Sequence, residues 1–225
     1  MRPYDTIIFD LDGTLLDTLD DLMDATNYAL EQLGWPQRSK DEIRQFVGNG
    51  VAKLIERAVP AGTDAAGVKK ALDIFTPYYD AHKQDKTAPY PGILDMLTAL
   101  KAKGLTLAVV SNKFDAAVKG LMPEYFPGLI DDAAGEAEAA GIPKKPHPAM
   151  VHAVLRSLGA DPARAAYVGD SDVDLQTAKN AGLPCISVTW GFRDREFLTQ
   201  HGASTFADTP EDLLSILEQD EEKRL

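Results

Sequence analysis

The chain contains very little cysteine, and this limits both its covalent architecture and its chemistry. Cys185 is the single cysteine among 225 residues, so no internal disulfide can form. Small secreted domains that depend on disulfides are thereby excluded as a class. Cys185 lies in the strand-like run 184–188, and we expect it to be a small buried hydrophobe and not a catalytic thiol.

Positive charge is also scarce. The 23 Lys and Arg residues are outnumbered by 35 Asp and Glu residues, which gives a net charge of -12. No run rich in Lys or Arg occurs, so the sequence lacks the basic footprint of a protein that binds nucleic acid. The acidic surplus favours solubility and weakly repels anionic ligands at long range, an effect that a bound divalent cation would reverse locally.

Long apolar runs are missing as well. No stretch of about 18 uncharged apolar residues occurs, so the sequence predicts no transmembrane helix. Asp5 and Asp10 leave room for only a few apolar residues between them, which is too short for a secretory signal. We therefore expect a cytoplasmic protein with no membrane partner.

Several common ligand-binding motifs do not occur. The phosphate-binding Gly-x-x-x-x-Gly-Lys-Ser/Thr loop is absent, and Gly48–Gly50 has no strand before it, which makes it a poor dinucleotide fingerprint. The EF-hand spacing is absent too, which disfavours calcium. The histidines lack metal-ligand spacing and are expected to be surface or helix residues: His82, His147, His152 and His201.

What the sequence does contain is a repeated alternation of strand and helix patterns. Apolar runs predict strands, and apolar stripes that end at glycines predict helices. The predicted strands are 7–9, 105–110, 165–168, 186–189 and a short edge strand at 204–207, and the predicted helices are 91–103, 150–158, 172–181 and 211–218. This alternation favours an α/β fold with a parallel, doubly wound sheet. The charged tail at 218–224 is expected to fray.

The segment between the first strand and residue 90 has a different pattern. Apolar residues recur there at helical spacing in four stretches, Ser39–Glu42 fits a capping box, and no convincing strand is present. We therefore expect an all-helical domain, residues 17–85, inserted into an α/β core made of residues 1–16 and 86–225. Such a module is typical of a lid that excludes water from a site, although it could also merely cover the sheet.

Polar side chains form four short clusters, and all but the third follow directly after a predicted strand. The clusters are Asp10–Thr14, Ser111–Lys113, Lys145–Pro148 and Gly169–Asp174. In an open parallel sheet, ligands bind beyond the carboxyl ends of the strands. One edge of the sheet would therefore collect carboxylates, a hydroxyl, an amide and an ammonium, a set that suits a metal ion and a phosphoryl group.

Asp10 and Asp12 are the first pair of candidate catalytic groups. Alternation along an extended chain directs their side chains the same way, and Gly13 then permits a tight turn. Two neighbouring carboxylates can divide roles, with one charged and nucleophilic and the other protonated. The alternative is that these residues only cap a helix and form a turn, for which Asp is common.

Asp170 and Asp174 add carboxylates at another strand end. Mg²⁺ prefers hard oxygen ligands and uses one or two carboxylates, so Asp10 together with Asp170 would suffice. Helix capping would explain this cluster equally well, and Asp172 is expected to serve only the helix dipole.

The remaining candidates would bind a phosphoryl group. Ser111 and Asn112 offer a hydroxyl and an amide where we expect a helix to begin, although capping alone would explain them about as well. Lys145 offers a point charge, and we prefer it to the neighbouring Lys144 because Pro146 and Pro148 stiffen the chain around it.

The four clusters, in this order and around a helical insertion, resemble the motifs of the haloacid dehalogenase superfamily. The resemblance covers nearly the whole chain and implies a Rossmann-like core with a C1 cap. It implies that Asp10 attacks phosphorus, and that Asp12 protonates the leaving oxygen and then activates water to hydrolyse the phosphoenzyme. Asp10, the backbone carbonyl of Asp12, and Asp170 would hold Mg²⁺.

The same resemblance assigns the other site residues. Ser111, Asn112 and Lys145 would bind the transferring phosphoryl group, and Asp174 would orient Lys145. Within the superfamily, dehalogenases lack an acid at the position of Asp12, so its presence favours phosphate chemistry. Mutases of the β-phosphoglucomutase type usually have a histidine where this chain has Leu22, so the resemblance favours a phosphatase over a mutase.

The cap resembles that of the phosphoglycolate phosphatase branch most closely. The resemblance rests on the loop Val47–Val51 and on Pro89–Gly92, and it makes Asn49 the cap residue nearest to substrate specificity. Arg57 and Arg193 could contact a substrate carboxylate, although single arginines more often face solvent.

The resemblance therefore implies a Mg²⁺-dependent phosphomonoesterase that acts on a small phosphorylated metabolite, with 2-phosphoglycolate as the first choice. A sugar-phosphate phosphatase, a pyrophosphatase or a nucleotidase on the same scaffold are alternatives. A receiver-like signalling domain, which also holds a phosphoaspartate, is an alternative of another class. We expect a monomer or a homodimer.

Overall fold

The computed structural model describes residues 3–218, so the predicted fraying of the tail at 219–224 lies outside the described residues. The chain divides into two compact units. One consists of the residues up to Leu15 together with those from Pro89 onward, and the other consists of Leu16–Ala88.

The secondary structure follows the chain in this order. The strands are β1 (Thr6–Phe9), β2 (Leu16–Asp17), β3 (Ala88–Pro89), β4 (Thr106–Phe114), β5 (Asp132–Glu136), β6 (Ala165–Gly169), β7 (Cys185–Val188) and β8 (Phe206–Ala207). The helices are α1 (Leu19–Gln32), α2 (Lys40–Phe46), α3 (Val51–Ala58), α4 (Ala65–His82), α5 (Ile93–Ala102), α6 (Asp115–Tyr125), α7 (Ala149–Leu158), α8 (Asp172–Ala181), α9 (Arg195–Gln200) and α10 (Pro210–Glu218).

The larger unit is built on a six-stranded sheet in the order β5-β4-β1-β6-β7-β8, in which neighbouring strands are parallel. The chain starts at β1 in the centre, proceeds through β4 and β5 to one edge, and then passes through β6, β7 and β8 to the other. The direction of winding therefore reverses beside β1, which is where open α/β sheets bind ligands. The predicted α/β, Rossmann-like fold is confirmed.

The central strands β1 and β6 are buried on both faces of the sheet, which explains why they are continuous apolar runs instead of alternating patterns. All four residues of β1 are buried. On one face Ile8, Ala108 and Tyr167 pack against the apolar sides of α7 and α8, and Cys185 packs at the border of this cluster. Burial raises the pKa of the Cys185 thiol, which keeps it protonated.

Two elements of the larger unit have no counterpart in the sequence prediction, and a third was expected only by its start. A helix was expected to begin at Ser111 and Asn112, but α6 begins at Asp115, and its Gly120 and Pro123 weaken its helical signal. Strand β5 lacks β-branched and aromatic residues and forms by pairing with β4. Helix α9 has only six residues, too few for a periodic pattern.

The smaller unit contains α1–α4, and its predicted capping box is present. The backbone N–H of Glu42 donates to Ser39 Oγ at 3.3 Å, and the backbone N–H of Ser39 donates to Glu42 Oε2 at 2.8 Å. Among residues 3–218, no helix combines the length and apolarity that crossing a membrane requires.

The expectation of no strand between β1 and residue 90 is wrong at two short places. β2 and β3 form a two-stranded sheet of their own, with two residues each. Strands this short produce no periodic pattern, and they form because the two ends of the inserted segment run side by side. The buried carboxylate of Asp21 strengthens this arrangement, since it accepts hydrogen bonds from the backbone N–H groups of Lys86 and Thr87 at 3.0 and 2.8 Å.

Candidate active site

Strands β1, β4 and β6 are neighbours, and their carboxyl ends bring three of the four polar clusters to one edge of the sheet. Asp10 follows β1 directly, and its backbone N–H donates to the carbonyl oxygen of Val168 on β6 at 2.8 Å. The turn beyond it requires a glycine, because Gly13 has a φ of 90°. The backbone of Asp10 is therefore fixed by a hydrogen bond to the neighbouring strand β6.

Lys145 forms the centre of the site. Its Nζ lies 2.7 Å from Asp10 Oδ1 and 2.9 Å from Asp174 Oδ1, and the residue is only 3% exposed. Burial by itself lowers the pKa of the Lys145 ammonium, but the two carboxylates outweigh this effect and hold its pKa above the ordinary value. Lys144, the alternative in the sequence, instead pairs with Glu138 on the surface at 3.4 Å.

Asp174 is fully buried, and its two oxygens have different partners. Oδ1 accepts from Lys145 and lies 3.2 Å from the Tyr167 hydroxyl. Oδ2 accepts from the backbone N–H and the hydroxyl of Ser171 at 3.1 and 2.6 Å, which fixes it in the first turn of α8. These contacts hold Asp174 against Lys145, and its role in orienting Lys145 stays a prediction.

Asp170 is held from both sides. The hydroxyl of Thr14 donates to Oδ1 at 3.1 Å, and the backbone N–H of Phe192 donates to Oδ2 at 2.7 Å. Burial, together with the nearby charge of Asp174, raises the pKa of Asp170 to about 7. The same two causes raise the pKa of Asp10 well above its usual range.

The three buried carboxylates fit a divalent cation. One oxygen from each of Asp10, Asp170 and Asp174 lies within 4.8 Å of the others. Their negative charge exceeds the positive charge that Lys145 supplies, and hard carboxylate oxygens suit Mg²⁺. Hydrogen bonding does not separate the three, because both oxygens of Asp170 accept hydrogen bonds just as those of Asp174 do, and Asp10 and Asp170 stay the predicted ligands. The backbone carbonyl of Asp12 stays a predicted third ligand.

Asp12 has a partner that sequence reasoning missed. Lys113 Nζ lies 3.1 Å from Asp12 Oδ1 and 3.4 Å from Oδ2. The side chain of Lys113 is 7% exposed and that of Asp12 is 20% exposed, so the pair is largely shielded from water. The position of Lys113 immediately after Ser111 and Asn112 was the one sequence signal that it belongs to the site. A lysine at a strand end, however, has no local pattern that distinguishes it from a solvated lysine.

Ser111 and Asn112 lie within β4, so the expectation that a helix begins there is wrong, since α6 starts only at Asp115. The Ser111 hydroxyl accepts from the backbone N–H of Lys113 at 3.2 Å. Asn112 joins the second and third clusters, because its Oδ1 accepts from the backbone N–H of Lys145 at 2.8 Å and its Nδ2 donates to the Lys145 carbonyl at 3.2 Å. Asn112 thus holds the Lys145 backbone, and its contact with a phosphoryl group stays a prediction.

A loop between β7 and α9 supports the site and was not anticipated from the sequence. The indole N–H of Trp190 donates to the carbonyl oxygen of Thr14 at 3.0 Å. Next to it, a Cβ on Gly191 would overlap the carbonyl oxygen of Gly13 and the side chain of Asp170. The loop therefore packs backbone against backbone, which only glycine allows at this position.

Comparisons with known proteins identify the family. Residues 7–188 match the family of haloacid dehalogenase-like hydrolases. The chain belongs to this family. The match spans the sheet from β1 to β7 and includes Asp10, Lys145 and Asp170.

Several similar proteins are named as phosphatases. A phosphoglycolate phosphatase of Caulobacter vibrioides is 35% identical over 219 residues, which cover 94% of this chain and 92% of the relative. The phosphoglycolate phosphatase of Pseudomonas putida is 34% identical over 225 residues, covering 94% and 78%. A solved structure from Lactobacillus delbrueckii subsp. bulgaricus, provisionally designated a phosphoglycolate phosphatase, has a TM-score of 0.92 and 39% identity, with 98% and 100% of the two chains covered. This haloacid dehalogenase-like hydrolase is therefore a phosphatase-type enzyme.

The other predicted substrate contacts of this hydrolase have partners of their own. In the helical unit, Arg57 donates to Asn49 Oδ1 at 2.9 Å and to the carbonyl oxygen of Phe46 at 2.7 Å. In the α/β unit, the guanidinium of Arg193 lies 5.3 Å from the ring centre of Phe197. Roles for Asn49, Arg57 and Arg193 in substrate binding stay predictions.

Proposed function

We propose that this hydrolase removes the phosphoryl group of 2-phosphoglycolate, with Mg²⁺ as cofactor and an aspartyl-phosphate at Asp10 as the intermediate. The observation that carries the proposal is the placement of Asp10 at the end of the central strand. Lys145 lies 2.7 Å from it, and Asp170 is close enough for the two carboxylates to bind one metal ion. Such a set of one nucleophile, one fixed cation and one metal ligand suits a displacement at phosphorus.

The substrate phosphoryl group would be bound by the positive end of the site. The Lys145 ammonium, held by Asp10 and Asp174, would face its oxygens, and the Ser111 hydroxyl would donate a further hydrogen bond. Mg²⁺, held by Asp10 and Asp170, supplies charge neutralisation on the phosphoryl oxygens when it is bound. Binding would also relieve the repulsion between the buried carboxylates.

In the first step, a carboxylate oxygen of Asp10 attacks phosphorus, and the bond between phosphorus and the ester oxygen breaks. Asp12 transfers its proton to that oxygen. The product that leaves is therefore glycolate, with a neutral hydroxyl group and an ionised carboxylate. Asp10 becomes an acyl phosphate and Asp12 becomes ionised. The nucleophile is effective because it is positioned, and general acid catalysis by Asp12 assists the poor leaving group.

In the second step, water attacks phosphorus of the acyl phosphate, and ionised Asp12 accepts its proton. The bond between phosphorus and the Asp10 oxygen breaks, which releases phosphate and restores both side chains. Net consumption is one water for each ester bond cleaved. Asp12 is the group that distinguishes this hydrolytic cycle from a stable phosphoaspartate in a signalling domain.

The choice of 2-phosphoglycolate rests on the named activity of the relatives and on the cap loop around Asn49. We propose that Asn49 contacts the substrate, and that its Arg57 partner fixes the amide so that the Nδ2 donors are presented. Replacing Asn49 with Ala is expected to raise the KM for 2-phosphoglycolate more than it lowers kcat. Steady-state kinetics on the two proteins measure this split, and an unchanged KM would remove Asn49 from substrate binding.

The proposed activity is tested by phosphate release in the presence of Mg²⁺ from a panel of substrates. The panel contains 2-phosphoglycolate, hexose and pentose phosphates, nucleotides, pyrophosphate and a chromogenic aryl phosphate. We expect the highest kcat/KM with 2-phosphoglycolate, and no release by an Asp10→Asn variant that retains the wild-type fold.

Two other outcomes would change the account. A higher kcat/KM with another substrate would keep the mechanism and replace the substrate. No release from any compound by folded protein in Mg²⁺ would contradict the phosphatase proposal and favour the receiver-like alternative.

A further inference from the structure

Lys113 places a second positive charge in the site, separate from Lys145. It lies near the end of β4, and its Nζ is 3.1 Å from Asp12 Oδ1. Its side chain is 7% exposed, so its ammonium is held against Asp12 in a setting with little water. Charge interactions are stronger in such a setting than at the surface.

The position of Lys113 relative to Asp12 determines which part of a substrate it would meet. In the proposed cycle, Asp12 gives its proton to the ester oxygen, so the leaving group must lie against Asp12. Lys145 instead contacts Asp10, on the side where phosphorus is attacked. A cation beside Asp12 therefore faces the leaving group, whereas the cation beside Asp10 faces the phosphoryl group.

We propose that Lys113 is a specificity-determining residue that selects substrates with an anionic group close to the ester oxygen. The inference rests on the proposed function and deepens it by naming a substrate class, the phosphorylated short-chain 2-hydroxy acids. In 2-phosphoglycolate a single methylene separates the carboxylate from the ester oxygen. The Lys113 ammonium would form a charge-assisted hydrogen bond with that carboxylate while Asp12 reaches the ester oxygen.

A purely positioning role for Lys113 predicts a different result. If Lys113 only held the Asp12 carboxylate, its loss would slow the cleavage of every ester by a similar factor. If it binds the leaving group, its loss would reduce the efficiency mainly for substrates that carry the carboxylate. A pair of substrates that differ in this group alone separates the two roles.

The test compares 2-phosphoglycolate with ethyl phosphate, in which a methyl group replaces the carboxylate. The main variant is Lys113→Gln, which removes the charge but keeps a donor for Asp12. The matched control is Lys119→Gln, which removes the same charge from an exposed residue of α6 whose partner is Asp115. The kcat/KM values of both substrates are measured in saturating Mg²⁺, and thermal unfolding checks that each protein is folded.

We expect the wild type to prefer 2-phosphoglycolate, and Lys113→Gln to lower that preference by about ten- to hundredfold, the usual effect of losing a hydrogen bond to a charged group. The kcat/KM for ethyl phosphate should fall much less than that for 2-phosphoglycolate, and any shared loss reports the contact between Lys113 and Asp12. Lys119→Gln should leave the preference unchanged. If Lys113→Gln does not fold, Lys113→Met takes its place, since its side chain has a similar length and carries no charge.

The inference is overturned if Lys113→Gln loses efficiency equally on both substrates or keeps the wild-type preference. Failure of the proposed function is read from the wild type alone. A wild type that cleaves ethyl phosphate as well as 2-phosphoglycolate removes both the substrate proposal and the role of Lys113, but retains the phosphatase mechanism. A wild type that cleaves neither removes the proposed function itself.

Discussion

Lys145 and Asp174 illustrate how a buried ion pair specifies a site. The Lys145 ammonium is enclosed by the carboxylates of Asp10 and Asp174, and Asp174 is fixed in turn by Ser171. Removing Asp174 leaves Asp10 to balance the ammonium, but it takes away the charged hydrogen bonds that fix the ammonium in place. The pair therefore matters most for where it places the ammonium.

Replacing Asp174 with Asn tests this coupling. We expect a loss of about 1–3 kcal/mol in the free energy of unfolding, because the charged hydrogen bonds of Asp174 with Lys145 and Ser171 are weakened while Asp10 still balances the ammonium. Turnover should fall as well, since the ammonium is no longer fixed. The control is Asp172→Asn in the same first turn of α8, which should change the free energy by about 0.5 kcal/mol. Chemical denaturation measures both, and equal effects would contradict the positioning role.

Asp170 has a pKa of about 7 because it is buried beside Asp174, which gives a pH-dependent prediction. Its folded pKa lies above the unfolded value, so its contribution to stability is present at low pH and is lost as the pH rises through about 7. Without Mg²⁺, Asp170→Asn should therefore raise the unfolding temperature at pH 8, by about 2–4 °C for each kcal/mol of relieved repulsion. At pH 4, near the ordinary pKa of Asp, the repulsion is absent and the two proteins should unfold at similar temperatures.

The same variant also tests the metal site. Adding Mg²⁺ should raise the unfolding temperature of the wild type and have little effect on Asp170→Asn, because binding stabilises only the state that binds. Thermal scans at both pH values with and without Mg²⁺ measure this. An equal Mg²⁺ effect in both proteins would remove Asp170 from the metal site.

At the scale of elements, the loop between β7 and α9 supports the site through the backbone of Gly13 and through Asp170. Gly191→Ala is expected to destabilise the protein by about 1–3 kcal/mol, because the added Cβ has no room. It should also weaken Mg²⁺ binding, since Phe192 in this loop donates to Asp170. Denaturation and calorimetric titration of Mg²⁺ measure the two effects.

The matched control for this substitution is Gly120→Ala. Gly120 lies inside α6, and no neighbouring atom outside its own helical turn lies within 4 Å of the place that the Cβ of an alanine would occupy. Alanine should therefore be neutral there or stabilise the helix by about 0.5–1 kcal/mol. A Gly191→Ala variant as stable as Gly120→Ala would show that the loop can move away without cost.

The elements that could be predicted from the sequence are those whose signal is local. Strand β1 is a run of buried apolar residues followed by two aspartates, so both the strand and its catalytic candidates are apparent. Strand β5 has no such signal, because its stability comes from pairing with β4. In the site, the bonds from Trp190 to Thr14 and from Phe192 to Asp170 join distant parts of the chain, and no local pattern encodes them.

At the scale of the whole molecule, the net charge of -12 opposes the approach of an anionic substrate. Raising the ionic strength from about 0.01 to 0.15 M shortens the screening length from about 30 to 8 Å, which should screen this repulsion. We expect kcat/KM to rise modestly while kcat stays constant in saturating Mg²⁺. A fall in kcat/KM would show instead that the local field of Lys113 and Lys145 governs the approach.

The central claim is that Asp10 carries the phosphoryl group between the two steps, and one trapping measurement tests it directly. An Asp12→Ala variant is mixed with a chromogenic aryl phosphate and Mg²⁺, quenched in acid and digested with a protease. The masses of the peptides are then measured by mass spectrometry. The aryl leaving group needs little help from an acid, whereas hydrolysis of the intermediate lacks its base, so phosphoenzyme should accumulate. The account predicts one phosphoryl group on the peptide at Asp10, and a folded, substrate-cleaving variant with no phosphoryl group on Asp10 would contradict it.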